Sequence, residues 1–241
     1  MVILVKTAFG FLTRLPVRFE SPPPPLARAA FAFPLVGLAV GGAGALVLLG
    51  ALHLGLGPLA AALLALVSQT LITGGLHEDG LADVADGFGG GATRDRKLEI
   101  MRDSRIGSFG VLAVVFGIGL RAAALAWIAR PEDAAWALVA AGMASRGFLP
   151  LVMRRLPPAR FDGLGQGAGT PTVPGATAAL LLGLAACLGT VGPPAWLAGL
   201  AAAATFALLA RRQIGGQTGD VLGACQQAAE IAILLIAGAR P

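Results

Sequence analysis

The segment AFAFPLVGLAVGGAGALVLLGAL, residues 30–52, contains no charged side chain. A transmembrane helix needs about 20 consecutive apolar residues to cross a hydrocarbon core of roughly 30 Å. Residues 30–52 therefore predict a membrane-spanning helix. The glycines within the segment are typical of membrane helices that pack closely, because small residues let two backbones approach each other.

The whole chain is also strongly apolar in composition. Of the 241 residues, 56% are hydrophobic and 13% are charged, and the mean hydropathy is +0.78. Soluble domains carry about 25% charged residues, so this chain has too little charge to cover a water-exposed surface, and a soluble enzyme is excluded. Cys187 and Cys225 both lie in apolar stretches, which predicts buried free thiols rather than a disulfide or a metal site.

Seven apolar segments are long enough to cross a membrane, and they predict an all-α, polytopic integral membrane helical bundle of about seven transmembrane helices. The chain then forms a single catalytic domain over residues 1–241, in which residues 1–20 form an interfacial amphipathic helix. The predicted spans are 30–52, 57–76, 108–129, 134–153, 174–192, 193–210 and 219–239.

The basic residues indicate the orientation. With the N-terminus in the cytoplasm, 14 Lys and Arg residues fall on the cytoplasmic side and two on the outer side. Cytoplasmic loops of membrane proteins are enriched in basic residues, so this bias explains the net charge of +5 without a nucleic-acid partner. Most acidic residues lie on the same side, and we expect the chemistry to take place at the cytoplasmic surface.

One cytoplasmic stretch, residues 77–107, concentrates the acidic residues. Asp79, Asp83 and Asp86 are spaced i, i+4 and i+7, which places three carboxylates on one face of a helix. Carboxylate oxygens suit Mg²⁺, which binds through one or two carboxylates together with substrate phosphate. We predict that these three residues bind Mg²⁺; a solvated acidic face is the alternative.

A second acidic group follows the first. Asp95, Glu99 and Asp103 are spaced i, i+4 and i+8 on a predicted helix over 93–104. Glu99 and Asp103 are predicted as further metal ligands, although interleaved basic residues also allow ion pairs within the helix. The glycine-rich connector at 87–91 predicts a loop that holds phosphate through residues such as Gly89 and Gly90, or simply a flexible link.

Several isolated polar residues are further candidates. His77 adjoins the acidic face, and Arg146 lies inside a span, where it could bind phosphate or pair with Glu230. The turn at 215–220 offers Gln217 and Asp220 as cofactor-binding residues; an N-cap is the alternative for Asp220. This inventory favours metal-assisted phosphoryl transfer.

The sequence also resembles the cobalamin synthase family, the adenosylcobinamide-GDP ribazoletransferases. The resemblance rests on the motif GGLHEDGLAD at 74–83, Asp86-Gly87 and LEIMRDSRIG at 98–107, and it extends to FLTRLP at 11–16, Ser145-Arg146-Gly147, Gly163-Leu164-Gly165 and GGQTGD at 215–220. Glu78 departs from the family pattern, which has an uncharged residue there.

The resemblance implies transfer of the adenosylcobinamide-phosphate group from adenosylcobinamide-GDP to α-ribazole or its 5′-phosphate, with release of GMP. It further implies Mg²⁺ as cofactor and a location in the cell inner membrane, and it allows a homo-oligomer. We expect Asp103 to act as the base, with His77 as the competing candidate, and Arg102, Arg105 and Arg146 to stabilise the leaving phosphate.

Two other functions remain open at this stage. Asp83, Asp86, Glu99 and Asp103 match part of the CDP-alcohol phosphotransferase motif, although the Ala-Arg element of that motif is missing. The intramembrane charges would also suit a transporter of a cation or a corrinoid. Transporters usually place their sites near the bilayer midplane, whereas the carboxylates here crowd one edge.

Overall fold

The computed structural model describes residues 1–160 and 168–239, and this part of the chain is helical without strands. The helices are α1 (Val2–Leu12), α2 (Leu26–Ala29), α3 (Phe33–His53), α4 (Pro58–Thr73), α5 (Leu76–Gly90), α6 (Arg94–Ile100), α7 (Ser108–Trp127), α8 (Pro131–Arg155), α9 (Val173–Leu188), α10 (Pro193–Ile214) and α11 (Gly219–Gly238). A 3₁₀ turn at Ala30–Ala32 joins α2 to α3.

The predicted membrane bundle is confirmed. In the described ranges, five helices are long and apolar enough to cross a membrane, and the bent pair α4–α5 adds a sixth span if it is counted as one. The remaining predicted span, 174–192, corresponds to α9, which has 16 residues and, at 1.5 Å per residue, a length of about 24 Å. The count of about seven therefore agrees with the helices found, although α9 is shorter than predicted.

Helix α8 forms the centre of the bundle. Within its most apolar window 83% of the residues are buried, compared with 33% in α7 and 28% in α10. Helices α3, α9 and α11 pack against it. At the α3–α8 crossing a Cβ on Gly37 would lie 2.1 Å from the carbonyl oxygen of Gly142, so this close approach requires glycine, as expected for membrane helices.

The N-terminal helix is shorter than the sequence predicted. Helix α1 ends at Leu12, where Thr13 adopts an extended conformation, and the chain then runs without regular structure up to α2. Cys187 and Cys225 are both free and buried, as expected from their apolar surroundings.

Candidate active site

A sharp bend places the acidic helix α5. Helices α4 and α5 meet at 91°, and the two residues between them, Gly74 and Gly75, have φ angles of +69° and +73°. Such angles favour glycine, because a Cβ would clash with the backbone. A Cβ on Gly74 would also lie 2.3 Å from Cδ of Arg14, so the bend packs tightly against the segment that follows α1.

Three carboxylates gather beside this bend, and we call Asp79, Asp83 and Asp220 the acidic cluster. Asp83 is half-buried and lies within electrostatic range of Asp79, Asp220 and Asp86. The side chains of Asp79 and Asp83 make no hydrogen bond or ion pair with the residues that the structure describes. Like charges at such close range destabilise one another unless a cation compensates them.

Asp220 reaches the acidic cluster from the first turn of α11. Its Oδ2 accepts hydrogen bonds from Nη2 of Arg160 at 2.8 Å and from Oγ1 of Thr218 at 3.1 Å. The alternative that Asp220 is the N-cap of α11 is wrong, because Thr218 holds that position and accepts from the backbone N–H of Val221. Within the described ranges, Oδ1 of Asp220 has no hydrogen-bond partner.

Asp86 has a role that its spacing did not predict. Its Oδ2 accepts the backbone N–H of Gly107 at 2.7 Å, and its Oδ1 accepts the N–H of Gly110 at 2.8 Å. Gly107 is the N-cap of α7 and has no side chain to accept these bonds. The carboxylate of Asp86 therefore caps α7 from α5, and both of its oxygens are already used within the protein.

The glycine-rich connector does not form the predicted loop. Helix α5 continues as far as Gly90, and Gly89 and Gly90 have no positive φ angle. A Cβ on Gly89 would lie 2.7 Å from the ring of Phe109. The prediction of a phosphate-holding loop here is wrong, because packing against α7 keeps this glycine run helical.

The three residues of the second acidic group, Asp95, Glu99 and Asp103, do not lie on one helix. Helix α6 ends at Ile100, so Asp103 lies beyond the helix that was predicted to carry it. Nη1 of Arg96 lies 2.8 Å from Oε2 of Glu99, which is the ion pair that the sequence left as an alternative. Within residues 1–160 and 168–239, no three His, Cys, Asp or Glu side chains are grouped so that they could hold a metal ion alone.

Asp103 is an unfavourable base in this arrangement. It accepts hydrogen bonds from Nε, Nη2 and the backbone N–H of Arg105, at 3.0, 2.7 and 3.0 Å. The side-chain and then the backbone hydrogen bonds from Arg105 lower the pKa of Asp103 to about 2. A carboxylate that holds its negative charge so firmly has little tendency to accept a proton at neutral pH.

A buried ionic network fixes α5 against the rest of the bundle. Arg121 on α7 contacts Oε1 of Glu230 and Oε1 of Glu78, each at 3.2 Å. Arg146 on α8 lies 3.5 Å from Oε2 of Glu230, as in the ion-pair alternative. Nε2 of Gln227 also donates to Glu78 at 3.2 Å. Glu78, the departure from the family pattern, therefore joins α5 to α7 and α11.

Two cavities adjoin at Asp79, one member of the acidic cluster. The first, which we call the open cleft, has a volume of about 610 Å³, and its lining includes Arg14, Thr73 and Glu78. The second, which we call the apolar cavity, has a volume of about 120 Å³, and its lining includes His77 and Asp220. Asp79 lines both, so it lies where the two cavities adjoin.

A third cavity lies beside α6 and is basic. It has a volume of about 390 Å³, and its charged lining consists of three arginines and two carboxylates: Arg94, Arg102, Arg160, Asp95 and Glu99. Of the arginines predicted to stabilise a leaving phosphate, Arg102 lines this cavity, whereas Arg105 is paired with Asp103. Roles for Arg94 and Arg160 were not predicted from the sequence. Arg94 directly precedes the second acidic group, and Arg160 lies far from the turn at 215–220 along the chain, so local spacing gave no sign of either residue.

Comparison with known proteins identifies the family. A family model described as Cobalamin-5-phosphate synthase matches residues 4–238. The chain belongs to the cobalamin-5-phosphate synthase family. No solved structure matches the chain significantly. One motif of the resemblance, Gly163-Leu164-Gly165, lies outside the residues that the structure describes.

Similar family members include three proteins that each carry the name adenosylcobinamide-GDP ribazoletransferase. The protein from Bradyrhizobium diazoefficiens is 52% identical, with 98% of this chain and 93% of the relative aligned. The protein from Azorhizobium caulinodans is 49% identical, with 96% and 93% aligned. The protein from Mesorhizobium japonicum is 50% identical, with 94% and 89% aligned.

Proposed function

We propose that this chain is an adenosylcobinamide-GDP ribazoletransferase. It transfers the adenosylcobinamide-phosphate group of adenosylcobinamide-GDP to a hydroxyl of α-ribazole or of its 5′-phosphate. The full-length similarity to relatives of that name supports the proposal. The observation that carries it in the structure is the acidic cluster, in which Asp79 and Asp83 have no partners among the described residues and Asp79 lines both adjoining cavities.

The reaction is a displacement at phosphorus. A ribose hydroxyl oxygen attacks the phosphorus atom nearer the corrinoid, and a new P–O bond forms. The P–O bond to the phosphate of GMP breaks, and GMP leaves with the electron pair of that bond. The hydroxyl proton passes to a base, so the products are the phosphodiester and GMP.

We propose that Asp79 and Asp83 hold Mg²⁺ together with the diphosphate of the substrate. No three ligating side chains among the described residues are grouped for a metal ion. Two carboxylates with the substrate diphosphate are enough, because Mg²⁺ often takes only one or two carboxylates and completes its shell with phosphate and water. Neither carboxylate has a partner within residues 1–160 and 168–239. Bound in this way, the cation would neutralise the charge that develops on the leaving phosphate.

Asp220 is the best-placed proton acceptor. It lines the apolar cavity, and both of its hydrogen bonds within the described ranges go to Oδ2, which leaves Oδ1 for the hydroxyl of the acceptor. Arg160 binds Oδ2 and orients the carboxylate. The nearby basic cavity, with Arg94 and Arg102, suits the phosphate of departing GMP, since guanidinium groups bind phosphate oxygens in pairs.

We further propose that the chain lies in the cell inner membrane with this site towards the cytoplasm. The bias of 14 basic residues to two supports that orientation. In the topology predicted from the sequence, the segments that carry the acidic cluster, the basic cavity and most acidic residues lie on that side.

A transfer assay tests the proposal. Full-length protein in lipid nanodiscs is incubated with adenosylcobinamide-GDP, α-ribazole and Mg²⁺, and GMP is measured by chromatography. We expect GMP release only when both substrates are present. Substituting a CDP-activated lipid tests the phosphotransferase alternative, and corrinoid uptake into sealed vesicles tests the transporter; a signal in either, without GMP release, would contradict the proposal.

A further inference from the structure

We propose that the apolar cavity binds the flat aromatic base of the acceptor nucleoside, with His77 and Gln217 as its polar contacts. This inference rests on the proposed function and adds a site for the second substrate to it. The acceptor base is a benzimidazole, a planar and mostly apolar ring system with one ring nitrogen free to accept a hydrogen bond.

The walls of the cavity match such a base. They consist mainly of apolar side chains from several helices, among them Leu12 of α1, Phe33 of α3, Leu149 and Met153 of α8, and Leu222 of α11. A volume of about 120 Å³ is far below the several hundred Å³ of sites that enclose whole drug-sized ligands. The cavity therefore suits one ring system and excludes a corrin.

Two residues of this lining each carry a buried polar atom that has no partner in the part of the chain that the structure describes. Nε2 of His77 and Oε1 of Gln217 are buried without a hydrogen bond, and the two residues are 2% and 3% exposed. Leaving such atoms unpaired costs free energy, on the order of 1–3 kcal/mol for each group. A ligand that pairs with them is therefore favoured in this cavity.

The chemistry of the two atoms indicates the kind of ligand. With a proton on Nε2, His77 donates one hydrogen bond there, which matches the single free nitrogen of the benzimidazole. Oε1 of Gln217 accepts one hydrogen bond, which a ribose hydroxyl supplies. Guanine carries several donors and acceptors on its ring, and most of them would be left unpaired against apolar walls, so the cavity disfavours the guanosine end of the other substrate.

The position of the cavity is also appropriate for an acceptor. Asp79 separates it from the open cleft, and Asp220 lies in its own lining. A base in the apolar cavity would place its ribose beside the acidic cluster, while the larger cleft remains free for the diphosphate substrate. The two reactants would then meet at the carboxylates, as a direct displacement requires.

Direct binding measurements test the site without relying on turnover. The dissociation constant of α-ribazole is measured by equilibrium dialysis against full-length protein in nanodiscs. Leu149→Phe fills the cavity, and Leu181→Phe is the matched control on the exposed surface of α9, where Leu181 is 58% exposed. We expect Leu149→Phe to weaken α-ribazole binding by at least about tenfold and Leu181→Phe to leave it unchanged.

A second pair of variants tests the polar contact. His77→Leu removes the donor and should weaken α-ribazole binding by about tenfold, whereas His77→Gln keeps an N–H donor near the same position and should retain most of the affinity. In both, the KM for adenosylcobinamide-GDP should stay within about twofold of wild type. If Leu149→Phe does not fold, this pair decides the question.

The outcomes of these experiments distinguish a failure of the proposed base site from a failure of the proposed function. Normal α-ribazole binding in folded Leu149→Phe and His77→Leu, with GMP still released by wild type, overturns the base site and leaves the proposed function standing. An equal rise in KM for both substrates also overturns it. Normal α-ribazole binding by wild type without GMP release would instead contradict the proposed function. With wild type, free dimethylbenzimidazole should compete with α-ribazole, and failure to compete counts against the site.

Discussion

Replacing Asp86 tests the unexpected role of this residue. Its carboxylate accepts the backbone N–H groups of Gly107 and Gly110 at 2.7 and 2.8 Å, and it is 9% exposed. Asp86→Ala leaves both groups without this acceptor at the positive end of the α7 dipole. We therefore expect the variant to be less stable than wild type even when no Mg²⁺ is present.

The expected loss of unfolding free energy follows from the two hydrogen bonds. A hydrogen bond to a charged group contributes about 1.5–3 kcal/mol, and an N-cap typically contributes about 1 kcal/mol. Two such bonds at one helix terminus give an expected loss of about 3 kcal/mol for Asp86→Ala. For a chain of this size that loss lowers the unfolding midpoint by roughly 6–12 °C. Asp86→Asn keeps one acceptor oxygen and should lose about half as much.

Thermal unfolding in detergent without Mg²⁺ measures this effect. Asp133→Asn is the matched control, because Asp133 lies exposed near the N-terminus of α8 and its change should stay within about 0.5 kcal/mol. If Asp86→Ala unfolds at the wild-type temperature but needs much more Mg²⁺ for turnover, Asp86 is a metal ligand and the capping argument is wrong.

Four further changes have distinct expected results. Asp83→Asn should raise the Mg²⁺ concentration needed for half-maximal turnover while the unfolding midpoint stays near wild type; normal Mg²⁺ dependence would remove Asp83 from the metal site. Asp220→Asn should lower kcat by about 10²–10⁴-fold with little change in KM for adenosylcobinamide-GDP, and a normal kcat would exclude it as the base. Because Arg105 lowers the pKa of Asp103 to about 2, this ion pair is lost only as pH falls towards 2. Asp103→Asn should therefore leave the dependence of kcat on pH unchanged above about pH 4. A shift of the acidic side of that pH profile in the variant would show that Asp103 is the base. Arg121→Met removes the ion pair of Glu78 and leaves Glu230 with Arg146 alone, so it should destabilise the protein by about 3 kcal/mol, measured by thermal unfolding; a loss below about 1 kcal/mol would show that the network contributes little.

The sequence predicted the features that depend on local composition. Long apolar segments indicated the bundle, and the spacing of Asp79, Asp83 and Asp86 predicted the helix that became α5. The glycine pair at 74–75 carried a usable signal for the 91° bend, because two adjacent glycines allow the positive φ angles found there.

The errors arose where contacts between distant segments decide the structure. The ring of Phe109 packs against Gly89, and no local pattern shows that this contact keeps a glycine run helical. The pairing of Asp86 with α7 and of Arg160 with Asp220 joins residues more than 20 positions apart. Such partners follow from the packing of the bundle, which spacing along one helix does not reveal.

GMP release by purified wild-type protein in nanodiscs, with Asp83→Asn and Asp133→Asn measured in parallel, tests the proposed transfer reaction and its metal site together. We predict release that requires adenosylcobinamide-GDP, α-ribazole and Mg²⁺ together, with strong loss in Asp83→Asn and none in Asp133→Asn. Absence of GMP release by folded wild-type protein, or equal rates in both variants, would contradict it.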